Sequence, residues 1–258
     1  LVAPTQIAAK KYYRNSVFDF RVAMIGLFTK MIHDRFQYEK NVLSGGAGFA
    51  IGIDEAGRGP LAGPVFAAAV CFTDFNARDP VFCRLLEKVR DSKQLSASTR
   101  QELFVDLTNR GDILWGCASA SSETIDRINI LEATKLAMLK AVGCLAERAA
   151  KNYPAFNLDR SCLVIDGNFG LKSSLLQFSV ISGDRLVFSI SAASIIAKVS
   201  RDRLMEAYET EYPGYGFSKH KGYGTKQHFQ ALKTLGVLPV HRKTFAPVAR
   251  LWDNLKKD

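Results

Sequence analysis

The stretch IGIDEAGRGPLAGPV, Ile51 to Val65, constrains this chain more than any other. An apolar run, Phe49 to Ile53, reads as a buried strand, and a second, Ala-rich run follows at Val65 to Phe72. Continuous apolar runs of this kind belong to a sheet covered on both faces. Between them stand two adjacent carboxylates, Asp54 and Glu55, and then the turn Gly57-Arg58-Gly59. Glycine lets the backbone take positive φ or come close to a ligand. Arg58 offers a planar, permanently charged fork suited to phosphate. An acidic strand end beside a basic turn suggests a metal site next to a phosphate site. A surface turn with one ion pair is the plainer reading of an Asp-Glu pair taken alone, so the rest of the chain has to discriminate.

Residues 1–15 read as a basic tail, and Ser16 to about Tyr38 as an amphipathic helix. Ser16 and Asp19 have capping-box-like spacing, and Phe20, Met24, Leu27, Phe28, Met31 and Phe36 recur at helical intervals. Ser44-Gly45-Gly46 closes this unit. Residues 1–46 are therefore expected to be an appendage, and 47–258 one domain. Within that domain, helices are expected at Pro80–Val89, from Ser96 or Ser98 to Asn109, at Ile130–Lys151, Ser191–Tyr212, Lys226–Leu235 and Pro247–Leu255. Strands are expected at Ile113–Ala120, Cys162–Ile165 and Leu175–Ile181. A glycine- and aromatic-rich loop, PGYGFSKHKGYG, runs from Pro213 to Gly224, and Thr225 is placed to cap the helix after it. Interspersed strands and helices give an α/β class around one mixed sheet, with a helical C-terminal portion.

Lys and Arg number 35 against 25 for Asp and Glu, a net charge of +10. That excess favours a polyanionic partner, nucleic acid ahead of membrane. The apolar run Val22–Phe28 is far too short to span a bilayer, and Asp19 and Arg21 spoil it as a signal-peptide core. The five cysteines are dispersed and form no CxxC pair, which reads as buried thiols in a reducing, cytoplasmic setting.

Asp54, Glu55, Asp166 and Asp184 share one context, the far end of an apolar run beside glycine. Strand ends of one sheet converge in space, and converging buried acids need a cation to stay ionised. No cysteine or histidine cluster accompanies them, so the ion expected is hard and oxygen-liganded, Mg²⁺ or Mn²⁺. Two such ions are a common device for clamping the oxygens of a phosphoryl transfer. Asp54 and Glu55 would point to opposite faces of a strand, so they share a site only if the strand ends or twists there. Capping carboxylates and surface ion pairs remain the competing reading at this level.

The chain resembles the ribonuclease HII family, the type 2 ribonucleases H. The motifs that carry the resemblance are IGIDEAGRGPLAGPVFAAAV, DSKQLS, EATKLAM (Glu132–Met138), LVIDGN (Leu163–Asn168), ISGD (Ile181–Asp184), SAASIIAKVSRDRLM (Ser191–Met205), YPGYGFSKHKGYGT (Tyr212–Thr225) and GVLPVHRKTFAPV (Gly236–Val248). They fall in the family's order over roughly residues 48–250. The resemblance implies a ribonuclease-H-like fold, a monomer, and metal-dependent hydrolysis of RNA in RNA–DNA hybrids or of single ribonucleotides in duplex DNA. The cut is implied on the 5′ side of the ribonucleotide, leaving 3′-hydroxyl and 5′-phosphate. Asp54, Glu55, Asp166 and Asp184 are implied as the acidic quartet holding two ions, with Asp54 and Asp166 central. Gly57, Arg58 and Gly59 are implied as readers of the ribose 2′-hydroxyl, the group that separates RNA from DNA locally. Tyr223 is implied as the residue that packs on the deoxyribose after the ribonucleotide.

Lys93 is a further candidate phosphate contact, and Lys198, Arg201, His220 and Lys221 are expected to contribute to a basic groove. Asp202 reads as structural. The spacing of His220, His228 and His241 argues against a zinc set, and Tyr212, Tyr215 and Phe217 read as loop packing. Ribonuclease HIII, a non-catalytic nucleic-acid-binding module and membrane-surface binding through residues 1–46 are the alternatives. GRGPLAG and the intact quartet argue against the first two. Whether a replication or repair clamp binds is left open by the sequence.

Overall fold

The computed structural model describes residues 36–75, 79–89 and 95–254. Lys93 and most of the expected N-terminal helix lie outside them. Five strands form one sheet in the order β3-β2-β1-β4-β5. They are β1 (Phe49–Ala56), β2 (Val65–Phe72), β3 (Ile113–Ala120), β4 (Ser161–Asp166) and β5 (Leu176–Val180). β1 runs antiparallel to β2 and parallel to β4, so the sheet is mixed, as expected. The helices are α1 (Gln37–Ser44), α2 (Pro80–Lys88), α3 (Ala97–Asn109), α4 (Ser122–Ile128), α5 (Ile130–Asn152), α6 (Gly183–Leu186), α7 (Phe188–Glu211), α8 (Phe217–His220), α9 (Lys226–Leu235) and α10 (Ala246–Asn254).

The period of two along β2 divides the core. Ala68, Val70 and Phe72 face α7 and α3, while Val65, Ala67, Ala69 and Cys71 face α5. Glycine brings the helices close to the sheet. A Cβ on Gly52 of β1 would lie 2.4 Å from the carbonyl carbon of Ser189 in α7, and one on Gly116 of β3 would lie 2.2 Å from the Ala141 oxygen of α5. Ser96 caps α3 and Thr225 caps α9, each hydroxyl accepting an N–H three residues on. All five cysteines remain free thiols.

The lead-in from Phe36 packs on this frame. Phe36 is fully buried, its ring 5.1 Å from that of Phe72 and 4.9 Å from that of Phe188. Val187, the residue before α7, caps nothing with its side chain. Glu39 of α1 takes that role from outside the helix: its Oε1 accepts from the N–H and the hydroxyl of Ser189, both at 2.8 Å.

Three elements differ from the sequence reading. β1 continues through Asp54 and Glu55 to Ala56, because β2 stays paired with it as far as Ala56–Phe66. Asp184 lies in a helical turn, α6, and not at a strand end, since Ser182 takes a left-handed φ of 57° and turns the chain after β5. The loop before Thr225 contains a short helix, α8, which buries Phe217 and His220.

Candidate active site

Ile53 of β1 pairs with Ile165 of β4 in parallel register. The next residues, Asp54 and Asp166, therefore stand at the same ends of adjacent strands. Asp54 is 5 % exposed and shares a face with Gly52, beneath α7. Burial, then the charges of Glu55 and Asp166, push its carboxyl well above the usual range. Hydrogen bonds from the Glu55 N–H and from Ser194 of α7 pull the other way. The N–H bond, at 2.7 Å to Asp54 Oδ1, ties the two acids of the Asp-Glu pair together at the backbone.

β4 stops pairing with β1 at Ile53, so Asp54 and Glu55 project past it on the β2 ladder. Both line one cleft of about 220 Å³ with Gly57, Arg58, Gly59 and Tyr223. Arg58 Nη1 donates to Glu55 Oε1 at 3.2 Å, and its guanidinium lies 5.8 Å from the Phe169 ring. Tyr223 is 46 % exposed, and a Cβ on Gly59 would sit 3.6 Å from its ring. Asp166 Oδ1 accepts the N–H of Gly183 at 2.7 Å, which fixes α6 and hence Asp184 beside β4. Asp184 is itself buried.

The donors are hard carboxylates whose charges oppose one another in a buried place, the situation a divalent cation relieves. The residue types fit Mg²⁺ or Mn²⁺. Among the described residues no three His, Cys, Asp or Glu side chains already stand as a closed ligand set.

Several basic residues are not where the sequence reading put them. His220 is buried and does not line the cleft; Arg201 does line it, though it is only 1 % exposed. Arg201 is turned inward because its side chain donates to carbonyls far away in sequence, at Ala62 and Pro64. Lys198 does line the cleft, and it donates to Asp202 at 2.6 Å, which makes Asp202 its partner. Lys221 is held by Glu206 at 2.7 Å.

The three histidines do meet, as a hydrogen-bonded stack. The His220 and His228 rings lie 4.5 Å apart, and His228 Nε2 is 3.1 Å from His241 Nε2. His228 Nδ1 is 3.0 Å from the Tyr223 carbonyl, so the stack supports the loop that presents Tyr223. Sequence reasoning passed over Ser194, whose only signal is a polar residue on the helix stripe facing Asp54, and Arg242, discussed below.

Comparison with known proteins places this geometry. The family model for ribonuclease HII matches residues 51–248. A ribonuclease HII of Syntrophomonas wolfei is 44% identical over 220 residues, 85% of this chain and 78% of that protein. One of Acholeplasma laidlawii is 45% identical over 221 residues, 86% of this chain and 98% of that protein. Among solved structures, the ribonuclease H2 of Pyrococcus horikoshii superposes with a TM-score of 0.61 at 24% identity, covering 81% of this chain and 100% of that one. Bst-RNase HIII in complex with Mn²⁺ gives 0.60 at 18% identity, covering 83% and 72%. The PCNA:RNase HII complex of Archaeoglobus fulgidus gives 0.55 at 24% identity, covering 76% and 95%.

Proposed function

The chain belongs to the ribonuclease HII family of metal-dependent endoribonucleases, and from that premise we propose that it cuts RNA–DNA hybrids and duplex DNA carrying single ribonucleotides. The cut falls 5′ to the ribonucleotide and leaves a 3′-hydroxyl and a 5′-phosphate. The observation that carries this reading is the one cleft shared by Asp54, Glu55, Gly57, Arg58, Gly59 and Tyr223. It sets acids for hydrolysis directly beside a turn suited to a phosphate and a ribose.

Asp54, Asp166, Glu55 and Asp184 would hold two Mg²⁺ or Mn²⁺ ions. Bound there, the ions supply an activated water and offset the charge gathering on the phosphate. Asp54 and Asp166, one at each strand end, set the centre of the site. Ser194 orients the Asp54 carboxylate from α7. Arg58 balances Glu55 and faces the backbone of the nucleic acid. The exposed Tyr223 ring gives the sugar after the ribonucleotide a flat surface. The Archaeoglobus fulgidus neighbour was solved with PCNA, so a PCNA-type clamp is the partner to test by co-elution. Among the described residues no helix is long and apolar enough to cross a membrane.

The test is a DNA duplex with one internal ribonucleotide, incubated with the protein in Mg²⁺, in Mn²⁺ and in chelator. Metal-dependent cleavage 5′ to the ribonucleotide is expected. Cleavage confined to long RNA tracts would replace this reading with a ribonuclease HIII-like one. Binding without cleavage in either metal would leave only a nucleic-acid-binding module.

A further inference from the structure

Gly57 to Pro64, the loop that joins β1 to β2, directs its carbonyl oxygens into the protein. Arg242 donates from Nη2 to Gly57 O at 2.5 Å, from Nη1 to Arg58 O at 2.8 Å and from Nε to Gly63 O at 3.0 Å. The Arg242 N–H takes Leu61 O at 2.8 Å. Arg201 takes Pro64 O and Ala62 O, each at 3.2 Å. Two residues thus hold six carbonyls of one short loop. Both side chains are buried, Arg242 at 0% and Arg201 at 1% exposure. Gly57 rests directly on Arg201: its φ is +95°, and a Cβ there would lie 2.0 Å from Arg201 Nε.

A buried guanidinium is an expensive way to stabilise a loop. Burial and the charge of Arg201 lower Arg242 to about 9, still high enough to keep it charged at neutral pH. What this fork does supply is direction. Its donors are fixed in one plane, which a lysine cannot reproduce. In a trans peptide the C=O and the following N–H point to opposite sides, and no peptide bond here is cis. Drawing the Gly57 and Arg58 carbonyls onto Arg242 therefore aims the N–H groups of Arg58 and Gly59 the other way, on the side where these residues line the cleft.

We propose that Arg242, assisted by Arg201, is a positioning residue for ribose recognition: it fixes the aim of the Arg58 and Gly59 amides and so sets the preference for a 2′-hydroxyl over a 2′-hydrogen. The proposal rests on the function inferred above. Arg242 does not touch the substrate. It makes the amide donors rigid, so that a sugar lacking the hydroxyl leaves them without their partner.

The experiment uses the full chain with Arg242→Lys. The readouts are kcat and KM on the single-ribonucleotide duplex and Kd on the same duplex in all-DNA form. KM should rise by about tenfold or more, the loss typical of a misdirected hydrogen bond to a polar group. kcat should hold within about threefold and the all-DNA Kd within about twofold, since general phosphate attraction is untouched. Equal weakening on both duplexes, or a lower kcat at unchanged KM, would overturn the proposal, because a merely structural role lowers the active fraction and nothing else. A second measurement needs no variant. In wild-type protein with Ca²⁺, the Arg58 and Gly59 amide resonances should shift more on titration with the ribonucleotide duplex than with all-DNA. No difference would also overturn it. Failure of the wild type to cleave would refute the functional reading instead, and the amide titration would still decide whether the loop senses the hydroxyl.

Discussion

Glu39 offers a sharp test of how the lead-in is tied to the catalytic frame. Its carboxylate is 1% exposed and supplies the acceptor that α7 lacks at its own start. Burial raises its pKa above the ordinary 4.5, against the pull of its bonds to Ser189. The other oxygen, Oε2, is buried with no hydrogen-bond partner among the described residues. A folded pKa above the unfolded one means that folding favours the protonated form. The contribution of Glu39 is therefore greatest below the unfolded value and is lost as pH rises through the folded value. Ionised, the Glu39 carboxylate sits at a place that suits a neutral acceptor better.

Glu39→Ala removes both bonds and leaves the Ser189 N–H and hydroxyl buried. Each unsatisfied donor costs about 1–3 kcal/mol, and relief of the buried charge offsets part of that, for a net loss of about 2–4 kcal/mol. For a chain of this size that is roughly a 5–15 °C fall in Tm. Glu39→Gln keeps the Oε1 acceptor and the side-chain volume while removing the charge. It should lie within about 1 kcal/mol of wild type at pH 7. Wild type should gain on the Gln variant as the pH is taken down towards 4.5. Thermal and urea unfolding by circular dichroism at pH 7 and pH 5 reads both effects. A Gln variant as unstable as the Ala variant would show that the charge itself is needed. An Ala variant with unchanged Tm would show that α1 does not cap α7 in solution.

Asp54→Asn or Asp166→Asn should abolish cleavage while duplex binding persists, and Asp54→Asn should not lower Tm, because it removes a buried carboxyl raised by its acidic neighbours; turnover in Mg²⁺ would remove these residues from the mechanism. Tyr223→Ala should slow cleavage at a single ribonucleotide about tenfold more than on a long hybrid, the scale of one lost ring contact to nucleic acid; equal losses would argue against sensing of the junction. The histidine stack predicts acid lability. Leu238 N–H donates to His241 Nδ1 at 2.8 Å, which leaves the His241 proton on Nε2, facing His228. Burial lowers both rings from 6.5 to about 4. Lowered histidine values mean stability that is complete above 6.5 and lost as pH falls towards 4. The loss is roughly 3 kcal/mol per ring before coupling between them reduces the sum. Unfolding followed from pH 7 to 4.5 in the Glu39→Gln, Asp54→Asn double-variant background, which removes the two raised carboxyls that oppose it, should show it; a flat profile would refute the neutral stack.

The sequence displays period and punctuation, and the parts of this protein governed by those were legible in it. The apolar run of β2, the caps Ser96 and Thr225, and the run ending in Asp54 all follow from neighbours a few residues apart. The placing of Asp54 beside Asp166 does not, because a parallel register depends on a long crossover through α5 that leaves no mark on either strand. The shared context of the four acids suggested that they converge, but only the resemblance assigned them to one site. The burial of Arg201 was missed for a different reason. Ala197, Arg201 and Met205 recur at four-residue intervals, and all three are buried. A charged residue on an apolar stripe was the available signal that it turns inward. The contact between the histidines went unread because their spacing was tested for metal binding and not for hydrogen bonding between elements.

The same distinction separates the two halves of the site. β1 and β4 pair directly, so the Asp54–Asp166 end of the sheet depends on strand register alone. The recognition loop does not: its carbonyls are held from α7 and from Arg242, whose partners lie 179 to 185 residues away. The Ala62–His241 bridge and the bond from Leu61 N–H to Gly222 O add backbone ties from the same C-terminal region. Of the acids proposed for hydrolysis, Asp54, Glu55 and Asp166 are thus built into the sheet and Asp184 into α6 beside it, while the proposed selectivity for ribose waits on the chain's last third to dock. On the proposed reading, loss of that docking would leave Asp54, Glu55 and Asp166 in place but the choice of sugar unset.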